Sequence, residues 1–242
     1  MKPGSFGMIL AVLLWAATAL AQTEAPTAVF RRANENAARS RWDDASADYG
    51  RLVDNGVRAP SVYWNWAQAA SARGRKGEAL WALLCAQALS PTDSSIGQEL
   101  ERLRAELGLD PSEVSLGLVG DARVMALRLR FDWLAVAAFL LSLISLFRKE
   151  PRRSLSLVSS LVGVLLISPV LAASLGERRG VVVQKDAPLV DRPSQDAVAL
   201  ANLREGEVVP LLGEERDYLR IQDASGARGF AHQNDVRKLG VQ

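Results

Sequence analysis

Imidazole and thiol groups are nearly absent from this 242-residue chain, which holds one His and one Cys. Cys85 alone cannot form an internal disulfide. Its neighbours on one helical face, Ala82, Ala86 and Leu89, make it a small buried hydrophobe rather than a nucleophile. His232 alone supplies neither a metal cluster nor the base of a triad. A net charge of +2 lacks the basic excess of nucleic-acid binding, so no nucleic acid partner is expected. The acid pairs Asp43-Asp44 and Glu214-Glu215 fall at a helix start and a turn, where charges cap or stay solvated. No catalytic residue, metal ligand or cofactor site emerges, and no enzyme activity is expected. Tryptophan stops at Trp133, so the C-terminal part lacks indoles altogether.

Apolar runs are present twice in the middle of the chain. Phe131–Phe147 has Asp132 at its edge, and Ser154–Ala173 carries no charge. The second run would make roughly 30 Å of helix, enough for a bilayer. The reading is a hairpin in the lipid bilayer, with transmembrane helices at 131–147 and 154–175 joined by a basic loop at 148–153. Arg148, Lys149, Arg152 and Arg153 assign that loop to the cytoplasm, and Trp133 sits where an interfacial aromatic is expected. Neither run has an ionisable residue in its middle, which favours an anchor over a channel or proton relay. Ser159, Ser160 and Gly163 give the second run a small-residue face for helix contact. At the N-terminus, Lys2, the stretch Met8–Ala19 and the small-x-small Ala19-Leu20-Ala21 read as a signal peptide, residues 1–21. An uncleaved anchor is the alternative. Together these signals put both flanking modules on the outer side of the membrane.

The first module, residues 22–110, reads as helices interrupted by turn signals at Asp54-Asn55-Gly56, Ala59-Pro60, Arg73-Gly74 and Ser90-Pro91. Helix Ser61–Arg73 lines up Tyr63, Trp66, Ala67 and Ala70 on one face, and helix Gly77–Leu89 lines up Ala79, Leu83 and Ala86. A shift of 34 residues maps Ala67 to Ala33, Gly74 to Ser40, Ala79 to Ala45 and Leu83 to Tyr49, which yields a first unit of helices Thr27–Ser40 and Trp42–Asn55. This set resembles the tetratricopeptide repeat. Residues 95–107 form a capping helix with Leu100, Leu103 and Leu107 inward and Glu99, Arg102 and Arg104 outward. By repeat position, a groove would display Arg31 and Asn34 from the first unit, and Asn65 and Gln68 with Trp64 from the second. Their amides and guanidinium suit a peptide backbone or a carboxylate, and these five are the candidate partner-binding residues. The alternative is plain solvation. Residues 111–130 read as a linker.

The pattern changes at Gly180. Val181–Val183, Ala197–Leu203, Glu207–Leu212, Tyr218–Gln222 and Ala227–Ala231 are short strand-like runs between turn-rich gaps, and five such strands suggest a small barrel over residues 178–242. The order Leu189–Pro193, Leu203–Gly206, Val208–Leu212, Tyr218–Ile221, Ser225-Gly226 and Gly229-Phe230 resembles a bacterial SH3-like domain. That family commonly has Trp near Tyr218 and Phe230. Here these two residues are expected to fill the core.

The fold class expected is therefore a multidomain membrane protein: an all-α tetratricopeptide-like repeat, two transmembrane helices and a small all-β SH3-like barrel. This order, with Tyr63-Trp64-Asn65-Trp66-Ala67-Gln68-Ala69 followed by Gly74 and Ala79, resembles the BatE proteins of bacterial aerotolerance operons. The resemblance implies a membrane-anchored scaffold at a bacterial inner membrane, with both soluble modules on the periplasmic side, working beside other envelope proteins, among them von Willebrand A-type membrane proteins and a MoxR-type AAA+ ATPase. No cofactor is implied. The alternative is a peptidoglycan-binding or envelope-stress sensing protein acting through the SH3-like domain.

Overall fold

Two short turns set the helical part of the computed structural model, which describes residues 24–115, 117–146, 160–165 and 178–240. The first joins α1 (Pro26–Ala38) to α2 (Trp42–Asp54), and the second joins α3 (Pro60–Ala72) to α4 (Lys76–Leu89). In both, the chain passes through the left-handed region, at Ser40 (φ 58°) and at Gly74 (φ 73°). The hydrogen bonds match as well. Ser40 N–H donates to Ala37 and Arg41 N–H to Asn36, while Gly74 N–H donates to Ser71 and Arg75 N–H to Ala70. The shift of 34 residues is thus a structural repeat. Its mapped positions, Ala33 and Ala67, Ala45 and Ala79, Tyr49 and Leu83, are all buried. Small residues where the helices meet let the backbones approach and leave the larger side chains to fill the rest of each pair.

The chain forms two compact units, Met1–Val57 and Arg58–Gln242. In the first, α1 packs on α2 around Val29, Ala33, Ala45, Tyr49 and Leu52. In the second, α3 packs on α4, and α4 on α5 (Ser94–Leu107). Asp93 caps α5 by accepting from Ser95 N–H at 2.9 Å. Gly108 closes it in the left-handed conformation, with Leu109 N–H donating to Arg104 O. Ile96, Leu100 and Leu103 face inward, and Glu99 and Arg102 pair on the outer side. A short 3-10 turn (Pro111–Val114) and helix α6 (Gly117–Arg128) follow, so the expected linker at 111–130 is mostly helical. The apolar and polar residues of α6 alternate too irregularly to have signalled a helix.

The two transmembrane helices are not borne out. Helix α7 (Phe131–Leu146) has 16 residues. At 1.5 Å per residue it is about 24 Å long, short of the roughly 30 Å of a bilayer core. Among the described residues, no helix is long and apolar enough to cross a membrane. Arg130, at φ 59°, turns the chain between α6 and α7, so no neighbouring helix extends the run. Of the second run, residues 160–165 are described and helical. Their small-residue face does meet α7. Ser160 Oγ lies 2.7 Å from Ser142 Oγ, and a Cβ added at Gly163 would stand 3.0 Å from the Phe139 ring. The signal peptide at 1–21, the loop at 148–153 and the rest of the second run lie outside the described residues.

Among the described residues, the C-terminal module has seven strands, two more than expected. They are β1 (Arg179–Val182), β2 (Ala187–Val190), β3 (Ala199–Leu203), β4 (Val208–Glu215), β5 (Tyr218–Gln222), β6 (Arg228–His232) and β7 (Val236–Lys238). The order is β3-β2-β6-β5-β4-β1-β7, and every paired neighbour is antiparallel. All seven contribute to one core: Val182, Ala187, Leu189, Leu203, Val209, Leu219, Ile221, Ala231 and Val236. Strand β2 hides in the sequence because Pro188 interrupts it, though Pro188 points outward between buried Ala187 and Leu189. Strand β7 hides because it is three residues long and two of them are cationic.

Candidate binding surfaces

The outward face of β5 and β6 is the first candidate. Alternation buries Leu219, Ile221 and Ala231 and turns the residues between them outward. The register then builds two cross-strand rows: Glu215, Tyr218 and His232; then Gly213, Arg220, Phe230 and Val190. Gln222 and Arg228 extend the face. Tyr218 and Phe230 are therefore half-exposed, not core as expected. The core positions went to smaller aliphatic side chains, which fit a barrel of short strands. Tyr218 and His232 meet edge to face, with ring centroids 5.4 Å apart. His232 Nδ1 accepts from Asn234 N–H at 3.2 Å. Burial raises the nearby Asp235 carboxyl above its ordinary range, and His232 partly opposes this. Among the described residues, Arg220 and Arg228 are exposed and enter no ion pair. Flat aromatic edges beside free guanidinium groups suit stacking and carboxylate recognition.

The second candidate is the seam where the barrel seats on the second unit's own helices. Trp81 Nε1 donates to Lys238 O at 2.9 Å, and Gly77 N–H donates to Glu205 at 2.7 Å. Arg204 donates to Gly108 O at 2.6 Å and pairs with Glu113 at 2.7 Å. The approach is so close that a Cβ on Gly77 would stand 2.7 Å from Val182 O. A Cβ on Gly206 would be 2.8 Å from Leu107 and Leu109. Arg237 lies over both Trp66 and Trp81, with its Cζ 4.6 Å and 4.5 Å from the ring centroids. Cys85 is buried beneath this seam beside the Gly240 backbone, and burial pushes its thiol up to about 12. It is no nucleophile at neutral pH.

The residues expected to line the groove divide between the units. In the first, Arg31 is exposed and pairs with Glu35 at 3.3 Å, and Asn34 accepts the Tyr49 hydroxyl proton at 2.7 Å. In the second, Trp64 and Asn65 are half-buried on α3, and exposed Gln68 hydrogen-bonds Glu99. Arg102, and to a lesser degree Gln68, hold Glu99 below the usual carboxylate range. Asn34 and Gln68 thus spend part of their hydrogen-bonding capacity inside the chain.

Sequence reasoning missed a charge cluster in the first unit. Asp48 is buried, and its two oxygens accept from Arg32 Nε and Nη2 at 2.8 Å and 2.7 Å. Asn36 donates at 3.3 Å, and Arg51 lies 3.4 Å away. The Arg32 fork holds the Asp48 carboxyl below its ordinary range. A signal was available, since the repeat alignment sets Asp48 opposite buried Ala82, where a charge needs a partner. The seam residues gave no such signal, because their partners lie far away along the chain.

Residues 183–238 match the family model described as bacterial SH3 domain. The C-terminal module is an SH3-like domain. Both the exposed β5–β6 face and Arg237 fall inside the matched stretch of that domain. No curated protein matches the chain.

Proposed function

We propose that this chain is a scaffold of the bacterial envelope, a protein that holds others and performs no chemistry itself. Its SH3-like domain binds a partner through the outward β5–β6 face, and its helical repeats bind a second segment. The observation that carries the reading is the SH3-like domain with Tyr218, Arg220, Arg228 and Phe230 presented on one exposed face. Bacterial SH3 domains are consistent with protein interaction and with binding to peptidoglycan or other envelope material. The seam supports the scaffold side of that choice, because it holds the domain in a fixed pose on α4. Pose matters to a protein that positions partners.

The BatE resemblance makes von Willebrand A-type membrane proteins and a MoxR-type ATPase system the first partners to test, on the periplasmic side of the inner membrane for the former. Full-length chain and an Arg220→Ala/Phe230→Ala variant are compared for capture of these proteins from native envelopes. Both are also compared for cosedimentation with purified peptidoglycan. Capture that the double substitution abolishes supports the scaffold. Cosedimentation with peptidoglycan that the same substitution abolishes, without protein capture, replaces it with wall binding. Retention of every interaction by the variant removes the β5–β6 face from the proposal.

A further inference from the structure

The helix pair α3–α4 carries an aromatic cleft that the proposed function leaves unused. Trp66 and Trp81 stand edge to face, with centroids 5.1 Å apart and ring planes at 79°. Tyr63 continues the wall, 5.7 Å from Trp81. All three rings are buried. Glu78 completes the cleft: its side chain is 7% exposed, its Oε1 accepts the Trp66 Nε1 proton at 2.9 Å, and its Oε2 pairs with Arg75 Nε at 3.0 Å, which leaves Oε1 to face the wedge. Two indole faces and a desolvated carboxylate attract a planar cation, through the ring quadrupoles and the charge.

The occupant of this wedge is Arg237, and it is poorly satisfied there. Its guanidinium reaches no closer than 3.9 Å to Glu78 Oε1, and its Nη1, although shielded from solvent, has no hydrogen-bond partner. The strand explains the shortfall. Trp81 clamps the neighbouring Lys238 carbonyl, and Arg237 itself pairs in register with Val181 of β1. Its side chain cannot advance without dragging β7 along. The arginine side chain is 36% exposed, so solvent reaches part of it although Nη1 is shielded.

We propose that the Trp66–Trp81 wedge is a guanidinium-binding site, occupied in the resting chain by Arg237, and that an arginine side chain presented by a partner protein takes its place and loosens β7 from the helix pair. An incoming arginine is not tied to β7. It can move the additional distance of about 1 Å that turns the Glu78 contact into charge-assisted hydrogen bonds. Arg237 holds the advantage of being intramolecular. A partner segment that also touches the exposed β5–β6 face regains that advantage through its own effective concentration. The inference does not depend on the scaffold reading, because the wedge binds guanidinium whatever the barrel face binds.

The test uses the full chain with its Trp indole N–H groups followed by NMR, assigned through Trp66→Phe and Trp81→Phe. In Arg237→Ala, methylguanidinium is expected to shift the Trp66 and Trp81 signals saturably, at least about tenfold more tightly than methylammonium, which lacks the plane. No saturable shift, or equal response to the two cations, overturns the site. Should Arg237→Ala fail to fold, Arg237→Lys serves instead: methylguanidinium is expected to displace the lysine, and unchanged indole signals overturn the site equally. For exchange in the wild type, a tri-arginine peptide is expected to shift the same two signals and to speed hydrogen exchange at β7. Binding in Arg237→Ala with no wild-type response overturns the exchange and leaves Arg237 a permanent latch.

Discussion

Gly77→Ala sets local helix propensity against the seam. Gly77 lies in the first turn of α4, where Ala in place of Gly should stabilise a helix by about 1 kcal/mol. The tertiary structure demands the opposite. A Cβ there would stand 2.7 Å from Val182 O and 2.9 Å from Val183 Cα, both backbone atoms of the barrel, and 2.8 Å from Glu205 Cγ. Backbone on that side cannot turn away as a flexible side chain can, so the barrel must back off. Overpacking of this kind costs about 2 kcal/mol. The retreat also stretches the Gly77 N–H bond to Glu205, now 2.7 Å, a charge-assisted bond worth about 1.5 kcal/mol. After the propensity gain, the net loss is about 2–3 kcal/mol, or roughly 4–12 °C in Tm for a unit of this size. The assay is thermal unfolding by circular dichroism, with hydrogen exchange at β1 and β7 to localise the change. Gly97→Ala is the control, because a Cβ there meets only the movable tip of Arg128 at 3.0 Å, and it should be neutral or stabilising. A Gly77→Ala protein with raised Tm and unchanged exchange in β1 refutes the close seam.

A strained turn, a buried ion pair and a buried thiol each carry an expectation of their own. Ser40→Gly should stabilise the first unit by about 1 kcal/mol, since Ser40 holds a left-handed φ of 58° that costs a side-chain-bearing residue; unchanged denaturant midpoints would show that turn to be unstrained. Asp48→Ala removes the buried acceptor shared by Arg32, Asn36 and Arg51, while Arg32 keeps Glu24, and should lower the denaturant midpoint of the first unit. With the Asp48 carboxyl depressed below its ordinary 3.8, its contribution is fully present above that pH and is lost as pH falls through the lower folded value. Acid unfolding of wild type and Asp48→Ala should therefore converge at the acid end, and a constant gap at every pH would count against this. Cys85 should resist thiol reagents at pH 8 in the native chain and react at once on unfolding, with stopped-flow thiol titration deciding between the two.

What the sequence determined by itself is local. Turn residues and the spacing of apolar faces located helices α1 to α5 to within two residues, because a helix closes its own hydrogen bonds and declares its buried side every three or four residues. The 34-residue repeat was legible down to the left-handed turn, with Ser40 in the role of Gly74. Strand β5 was found at Tyr218–Gln222, where alternation is regular. Tertiary structure decided the rest. Strands β2 and β7 exist through their neighbours in the sheet, one carrying a proline and the other only three residues long. Run length counted apolar residues at 131–147 and 154–175, but α7 stops at 16. The fate of Trp81 was least legible, since its indole finds Lys238 O 157 residues further along the chain. A periodic pattern records which face of an element leaves water, and only the packed chain determines which distant surface covers that face.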